Sequence, residues 1–374
     1  MNIEIKNTGA RFTSFMESTA KVSIDELSNT FSFKSGVAKK INLDFGIGDE
    51  CVVYVDEQRI ITGHIEIISG RGSGDDNSID IIGRDKTGDI VDSSIGSLDD
   101  IRPPITLKAA IERVIAHIGS EVDVVNMVKP KLVFEKPLDL LTPEAGDNAF
   151  EFIEKLARNK KAILSSNDEG NVVIQRNIGT DIDAHLVNKI NGSANNVISY
   201  EFDYDHTGRF NKYISVGNSN LNLIDQILNI IASEKVIDVQ GFSLDKLSRE
   251  GRQFVIASEN PGPSPQQKER TEWERNIRRA RSRVYTAKVS GFTNQAGDIW
   301  TPNTIIKVVD DNARINDRLL INAVTYRLDP QQGRTTEISC VNRDTYKLES
   351  EEPQEVNAVS AFDEVILSLD LIGR

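Results

Sequence analysis

The chain contains an internal repeat, and this repeat limits its fold more than any other feature. Residues 61–92 align with residues 320–350 at a constant offset of 259, since 343 − 84 and 344 − 85 both give 259. Arg84-Asp85 then falls on Arg343-Asp344, and alternate apolar positions agree: Ile61, Ile65, Ile67, Ile79 and Ile81 fall on Leu320, Val324, Tyr326, Ile338 and Cys340. A two-residue period is typical of strands with one buried face. The repeat therefore predicts two β-domains of one design.

The connections within the repeat agree with this interpretation. "GRGSGDDN" and "DPQQGRTT" have equal length in the alignment and carry Gly74 and Gly333 at equivalent places, where a hairpin needs a positive φ. Upstream, "ECVVYVDEQR" (50–59) corresponds to "TIIKVVDDNARIND" (304–317) if the second copy holds five extra residues. Two similar β-domains should therefore open and close the chain.

Between the two copies the apolar period changes to that of helices. "TLKAAIERVIAHIG" (106–119) predicts a helix capped by Thr106 and ended by Gly119, with Leu107, Ile111, Val114, Ile115 and Ile118 on one face. Residues 146–176 predict a second helix, starting near Asp147 or Asn148 and burying Phe150, Ile153 and Leu156, followed by a hairpin that turns at 167–170. These elements indicate a small α+β module.

The second β-domain is itself interrupted. We expect its first strands at 197–206 and 212–218, and then a helical and coil excursion that includes the apolar pattern at 221–234. Ser264-Pro265 begins a helix with Trp273, Ile277, Ala280 and Val284 on one face, before "VYTAKVSG" returns to strand. The predicted division is 1–100, first tube-like β-barrel; 101–195, α+β module; 196–218 and 284–350, second tube-like β-barrel; 219–283, excursion; 351–374, acidic tail.

The excursion helix carries the densest basic run of the chain. Arg270, Arg275, Arg278, Arg279, Arg281 and Arg283 occupy its other faces. A charge run of this kind is more often a face that pairs with acids such as Glu269, Glu272 and Glu274, or with a partner subunit, than a nucleic-acid site. We take Arg275, Arg278, Arg279 and Arg281 as a candidate contact face for another subunit or partner.

"DKTG" (85–88) resembles the phosphorylation loop of P-type ATPases, in which an aspartate is the nucleophile. Nothing in the second copy resembles Lys-Thr-Gly, and no run of about 20 apolar residues provides a membrane span. Arg84-Asp85 is better interpreted as the exit of a strand. With no signal or transit peptide at the N-terminus, we expect a protein made in the cytoplasm and without a membrane anchor.

Catalytic and metal chemistry find little support in the sequence. Cys51 and Cys340 lie in apolar strands as core residues, and the acids are scattered over turns rather than paired as in a glycosidase. Asp203, Asp205 and His206 could hold a metal, but His206 points to the other side of the predicted strand. We predict no catalytic residues, no metal and no cofactor. A net charge of −13 disfavours a protein that grips nucleic acid, but not one past which DNA slides.

Four segments in order carry a family resemblance: 81–94, 146–176, 269–311 and 318–346. Together they resemble the Mu-type baseplate hub proteins of contractile-tailed phages (late control D-like family), over residues from about 3 to about 350. The segment from Trp273 to Trp300 is its most specific part. The tail 351–374 has no clear counterpart in the family.

The resemblance implies a structural, non-enzymatic protein of the virion tail baseplate, assembled in the host cytoplasm. It implies a homotrimer whose six β-barrels join the sixfold tube to the threefold spike. Implied partners are the central spike protein, the tail tube or a distal tube-initiator protein, and baseplate wedge proteins, with DNA passing through the lumen unbound. An acidic lumen would repel that DNA. Two alternatives remain open: a hub-associated cell-wall hydrolase, or the equivalent hub of a phage-derived bacteriocin or secretion apparatus.

Overall fold

The computed structural model describes residues 1–37, 44–73, 76–96, 104–128, 143, 145–176, 179–192, 194–217, 240–246, 248–258 and 264–346. Within these ranges the strands are β1 (Asn2–Ile5), β2 (Ala10–Phe12), β3 (Glu17–Ser23), β4 (Thr30–Val37), β5 (Glu50–Val55), β6 (Gln58–Ser73), β7 (Asp76–Asp85), β8 (Val124–Asn126), β9 (Ile163–Ser166), β10 (Val172–Gln175), β11 (Thr180–Asn188), β12 (Val197–Tyr204), β13 (Lys212–Gly217), β14 (Gln240–Leu244), β15 (Gln253–Ser258), β16 (Arg283–Ser290), β17 (Thr304–Asp310), β18 (Ile315–Asp329) and β19 (Gly333–Asn342). The helices are α1 (Gly88–Asp92), α2 (Leu107–His117), α3 (Ala149–Asn159) and α4 (Ser264–Arg281).

Two units of one design make up most of a thirteen-stranded sheet. Unit 1 has the strand order β3-β4-β7-β6-β5, and unit 2 has the order β12-β16-β19-β18-β17. Every neighbouring pair in both units is antiparallel. The predicted duplication is therefore confirmed as a mainly β fold with α+β insertions.

The two units differ in what connects their strands. A short turn, residues 24–29, joins β3 to β4, whereas residues 205–282 separate β12 from β16. The outer edges differ too, because β1 pairs antiparallel with β5 but β11 pairs parallel with β17. The predicted α+β module includes residues 180–188, but their strand, β11, lies in the large sheet.

A direct strand pairing joins the two units. β18 pairs with β19 from Leu319 to Asp329 on one edge, and its other edge is divided between β17 and β3. Side chains from both units, among them Ala20, Phe33 and Ile65 from unit 1 and Ala287 and Val324 from unit 2, then form one continuous apolar core. Among the described residues the pairings run as an open path from β12 to β2, and none of them closes either unit into a barrel.

β-Bulges mark equivalent positions in the two units and show that the structural register of the repeat differs from the sequence alignment. Glu66 is the extra residue in β6, and Asn322 is the extra residue in β18. These positions are 256 residues apart, since 322 − 66 = 256, rather than 259. The two offsets differ by three, an odd number, so along β6 and β18 the sequence alignment matches side chains that lie on opposite faces. Ile67 is consequently 47% exposed, while Tyr326, its predicted counterpart, is fully buried.

The hairpin loops of the repeat also differ from the prediction of equal length. Ser73 pairs with Asp76 in unit 1, whereas Asp329 pairs with Gly333 in unit 2, so the second loop is one residue longer. Gly333 has the predicted positive φ, 69°. Gly74 lies outside the described residues.

The α+β module forms as its sequence indicates. Thr106 Oγ1 accepts a hydrogen bond from Ala109 N at the start of α2, and Asn148 Oδ1 accepts one from Glu151 N at the start of α3. Helices α2 and α3 pack their apolar faces on the small sheet β8-β10-β9. In α3 the buried aromatic is Phe152, while Phe150 is only partly buried.

The excursion forms a second small sheet, with the order β14-β13-β15. Its central strand, β13, was expected to belong to the second β-domain, but it pairs only with β14 and β15 among the described strands. Helix α4 lies between this sheet and unit 2, where Trp273 and Ala280 pack on Leu320 and Val341. The patterns predicted at 221–234 and 351–374 lie outside the described residues.

Candidate assembly surface

The four arginines predicted as a contact face lie on α4, and three of them are half-buried within the chain. Arg278 Nε donates to Glu274 Oε1 at 2.7 Å, and its guanidinium lies 4.0 Å from the ring centre of Phe254. Arg275 donates to Leu244 O at the end of β14. These two side chains therefore tie α4 to its own small sheet.

Arg279 and Arg281 differ in exposure. Burial lowers the pKa of the Arg279 guanidinium, although nearby Asp245 opposes this effect. Arg281 is exposed, and its charge acts on Asp25 in the turn between β3 and β4. Of the four arginines, Arg281 is the one whose side chain is exposed on the isolated chain. The contact role of this face stays a prediction.

A buried ion pair beside the second small sheet has no signal in the sequence. Arg209 and Asp245 are buried, with side chains 0% and 3% exposed, and the guanidinium donates from Nε and Nη2 to both carboxylate oxygens at 2.7–2.9 Å. The two residues are 36 positions apart in the chain. They fasten the residues before β13 to the end of β14.

Asp85 ends β7 and forms a buried junction between unit 1 and the α+β module. Its carboxylate accepts hydrogen bonds from Asn29 N at 2.9 Å, from Thr87 N at 3.1 Å and from the hydroxyls of Thr87, Ser28 and Ser166. Burial raises the pKa of Asp85, and these hydrogen bonds oppose the rise. A carboxylate surrounded by donors in this way is a structural corner rather than an exposed phosphoacceptor.

Arg84 braces the same corner from the outside. It pairs with Glu66, the bulge residue of β6, at 2.8 Å and with Asp92 of α1. The Arg84 hydrogen bond lowers the pKa of Asp92. In unit 2 the residues that the sequence aligns with them, Arg343 and Asp344, are about half exposed, with Arg343 Nε 3.8 Å from Asp344 Oδ1.

One edge of unit 2 exposes aromatic side chains. β12 pairs with β16 on one side, and its other side has no strand partner among the described residues. Tyr200 and Phe202 are 38% and 43% exposed, and Tyr200 stacks on Tyr285 of β16. The alternation of Tyr200, Phe202 and Tyr204 with acidic residues could have identified this edge from the sequence.

One edge of unit 1 is similarly uncovered. β5 covers β6 only as far as His64, and the stretch from Ile67 to Ser73 is paired on the β7 side alone within the described part of the chain. This stretch contains Gly70, Arg71 and Gly72, all exposed. Unpaired strand edges of this kind accept further strands.

The sheet face that points away from the core is polar, with the two charge signs interleaved. Glu17 pairs with Lys34 at 3.1 Å, and Lys21 pairs with Glu26 at 2.6 Å. Farther along the sheet, Arg327 lies 4.0 Å from Glu337. On this face, described acidic side chains therefore lie beside basic ones.

Cysteine and acidic side chains are the candidates for catalytic or metal chemistry among the described residues. Cys51 and Cys340 are buried free thiols, and burial raises the pKa of Cys51 to about 12. Asp205 accepts hydrogen bonds from Thr207 N and Oγ1, which turns it into the loop after β12. Within the described ranges no group of three histidine, cysteine or acidic side chains is arranged to hold a metal ion. In the same ranges no helix has the length and apolar character needed to span a bilayer.

Two family models match this chain, one in each copy of the repeat. Residues 2–85 match the N-terminal domain of the Mu phage baseplate assembly protein GpP-like family. Residues 264–349 match the fourth domain of the Mu phage baseplate assembly protein GpP. The two matches cover unit 1, and the part of unit 2 that follows β12 together with α4.

Individual relatives extend this similarity over most of the chain. The baseplate hub protein gp44 of Escherichia phage Mu is 21% identical over 92% of this chain and 88% of its own length. The 43 kDa tail protein of prophage MuSo2 from Shewanella oneidensis has the same fold, with a TM-score of 0.75, 22% identity and coverage of 92% and 98% of the two chains. A component of the Escherichia coli type VI secretion system is more distant, with a TM-score of 0.57, 10% identity and coverage of 91% and 77%.

Proposed function

We propose that the chain is a baseplate hub protein of a contractile phage tail, similar to those of Mu-type phages, and that three copies form a ring of six β-units at the distal end of the tail tube. As a baseplate hub protein it is a structural component of the virion tail. The proposed ring joins a sixfold tube to a threefold central spike. The chain supplies two units per copy, and three copies give the six positions that a sixfold partner requires.

The observation that carries this proposal is the shared strand order of the two units. They lie side by side in one sheet through the pairing of β18 with β3, and they share one core. A side-by-side duplication presents two similar surfaces at successive angular positions of a ring. Two unrelated domains could not offer equivalent contacts to a partner of higher symmetry.

The polar face of the sheet is the surface that we propose to line the central channel. Among the described residues, Glu17 pairs with Lys34 and Arg327 lies near Glu337 on this face, so charges of opposite sign neighbour each other there. DNA binding without sequence specificity depends on uncompensated lysine and arginine near the phosphates. A face of balanced charge lets DNA pass without binding, so the passage needs no strongly acidic lining.

The proposed partners are those of the family. The central spike binds one end of the ring, the tail tube or a distal tube-initiator protein binds the other, and baseplate wedge proteins surround it. The α+β module and the small sheet beside α4 project from units 1 and 2 respectively, and we propose that they contribute the spike-facing or wedge-facing part of the cup.

The proposed role is geometric rather than catalytic. Asp85, the most enclosed carboxylate of the first unit, is fully engaged by hydrogen-bond donors, and Arg84 and Glu66 brace it. A glycosidase would need two carboxylates facing a sugar at a fixed separation. Purified protein should therefore release no fragments from peptidoglycan, and activity abolished by a single carboxylate substitution would favour the hydrolase alternative.

The mass of the purified full chain tests the ring. Light scattering after size exclusion should give about 125 kDa, three times the chain mass of 41.5 kDa, alone or with the spike protein added. Electron microscopy of that species should show six similar densities around a central opening. A stable dimer, or a monomer that persists in the presence of the spike, would contradict the proposal.

A further inference from the structure

We propose that the subunits join by antiparallel pairing of β12 of one chain with residues 68–72 of β6 of the next, in a register fixed by the internal β3–β18 junction. This inference rests on the proposed trimeric ring and adds the surfaces that build it. Both edges lack a strand partner among the described residues. We assign a second copy of this chain as the occupant of each edge, because the two edges correspond to the two strands that already pair at the internal junction.

The strand pairings define which residues of the two units are equivalent. Two residues past the bulge in unit 1, Ile68 pairs with Ile81, which pairs with Phe33, which pairs with Ser18. Two residues past the bulge in unit 2, Val324 pairs with Ile338, which pairs with Ala287, which pairs with Tyr200. Ser18 in β3 thus corresponds to Tyr200 in β12, and by the same count Ala20 corresponds to Phe202.

The internal junction then predicts the junction between subunits. Within the chain, Leu328 pairs with Ser18, Arg327 with Thr19, Tyr326 with Ala20, Thr325 with Lys21 and Val324 with Val22. Replacing each residue by its counterpart in the other unit pairs Gly72 with Tyr200, Arg71 with Glu201, Gly70 with Phe202, Ser69 with Asp203 and Ile68 with Tyr204.

The side chains at these positions complement each other in size. At the internal junction the large residue, Tyr326, is on β18, and the small residue, Ala20, is on β3. At the proposed junction the order is reversed, because Gly70 on β6 faces Phe202 on β12. Glycine in a strand interior often marks a place where other groups approach closely. The glycines leave room for the exposed aromatic rings of β12, so pairing would bury them.

The charges at these positions complement each other as well. Arg71 and Glu201 are exposed on their separate edges and become directly opposite neighbours in the proposed register. Opposite charges across an antiparallel pair stabilise it, and like charges destabilise it. A slip of one residue would place Arg71 opposite an aromatic residue and on the wrong face. Size and charge therefore select the same register.

The pairing is head-to-tail, because the edge of unit 2 contacts the edge of unit 1 in the next chain. Contacts of this kind close into a ring when the rotation allows it. Each subunit boundary then repeats the boundary that already exists inside the chain. The same pairing also covers two exposed strand edges that would otherwise favour aggregation.

Disulfide trapping in the full-length chain tests the register. Ser69→Cys and Asp203→Cys, combined in one chain, place two cysteines directly opposite each other across the proposed junction, where Cβ atoms lie about 5 Å apart. Mild oxidation should give covalent dimers and a closed covalent trimer on non-reducing gels. The native cysteines Cys51 and Cys340 are fully buried and provide the unmodified background.

The matched control is Ser69→Cys combined with Phe202→Cys, which moves the second thiol to the other face of β12. It should cross-link at least tenfold more slowly. A wild-type trimer in which neither pair cross-links would overturn the proposed junction and leave the trimeric ring standing. A wild-type chain that does not trimerise with the spike present would contradict the ring itself.

Charge exchange provides a second readout that does not depend on cysteine chemistry. Arg71→Glu and Glu201→Arg should each weaken trimer formation about tenfold or more, because each puts like charges opposite each other. The double variant restores the pair in reverse and should recover most of the wild-type association. Equal weakening in the single and double variants would contradict the pairing. Urea unfolding of each variant confirms that the isolated chains fold.

Discussion

Strands β3 and β12 hold the same place in the two units, and yet their side chains differ in size and exposure. β3 directs Ser18, Ala20 and Val22 toward the core, and all three are buried because β18 covers that edge. β12 directs Tyr200 and Phe202 to the equivalent positions, where they are exposed. After the duplication the backbone topology was retained, while the side chains came to fit different neighbours.

The corners that follow the two hairpins show the same divergence. In unit 1, Asp85 and Arg84 fasten the sheet to the α+β module. In unit 2, the chain after β19 leads to Tyr346, whose hydroxyl donates to Asp25. By the strand pairings, Asp85 opposite Gly63 corresponds to Asn342 opposite Leu319, so the Arg-Asp pairs that the sequence aligns occupy different places in the two units.

The largest expected effect separates the true register from the sequence alignment. Tyr326→Ala should lower the free energy of unfolding by about 3–5 kcal/mol, because it removes a buried ring from the shared core. Ile67→Ala, at the position that the 259 offset aligns with Tyr326, should change it by less than about 0.5 kcal/mol. Urea titration of both variants measures the difference. Equal losses of unfolding free energy would favour the sequence alignment at offset 259, in which Ile67 and Tyr326 are equivalent.

Substitutions at Asp85 and at Asp344 should differ less in their effect on the free energy of unfolding. Asp85→Asn should cost about 1–3 kcal/mol, because a buried carboxylate that accepts several hydrogen bonds becomes an amide with a donor in the wrong place. Asp344, which the 259 offset aligns with Asp85, is half exposed. Asp344→Asn should change the free energy of unfolding by less than about 0.5 kcal/mol. The denaturation midpoints of the two variants measure this difference. Equal shifts would contradict the role of Asp85 as a buried structural corner.

Exchanging the equivalent residues Ala20 of β3 and Phe202 of β12 tests how far the two strands differ. Ala20→Phe introduces into β3 the residue that β12 carries, and overpacking against Tyr326 should cost about 1–3 kcal/mol. Phe202→Ala introduces the β3 residue into β12 and should leave the stability of the dilute, unassembled chain within about 0.5 kcal/mol. Thermal unfolding at low protein concentration measures both, and a neutral Ala20→Phe would show that the internal junction is loosely packed.

The smallest effect depends on pH. Arg84→Gln should cost about 1 kcal/mol at pH 7 through its lost hydrogen bonds to carboxylates, whereas Arg343→Gln should be neutral. The Arg84 hydrogen bond lowers the folded pKa of Asp92, so its contribution is present above the unfolded pKa of about 3.9 and is lost as the pH falls through the folded value. The difference between wild type and Arg84→Gln should shrink below about pH 4, and a penalty that is constant with pH would exclude this origin.

Much of the fold could be predicted from local pattern. The period of two identified the repeated strands, and the period of 3.6 identified α2, α3 and α4 with their caps at Thr106 and Asn148. Both depend on the residue and its near neighbours, which determine which face is apolar and which backbone groups need a partner. The burial of Cys51, Cys340 and Trp273 followed from the same patterns.

Pairing partners across long separations were decided by the tertiary structure alone. The equivalent bulges at Glu66 and Asn322 set an offset of 256 rather than 259 along β6 and β18, β13 joined a separate small sheet, and β11 joined the large one. The physical reason is that an edge strand has the same alternation whether its neighbour is within the chain, as for β3, or outside it, as we propose for β12. The sequence by itself determined that strands exist and which face of each is buried, whereas the choice of neighbour depends on the free energy of the whole packed sheet.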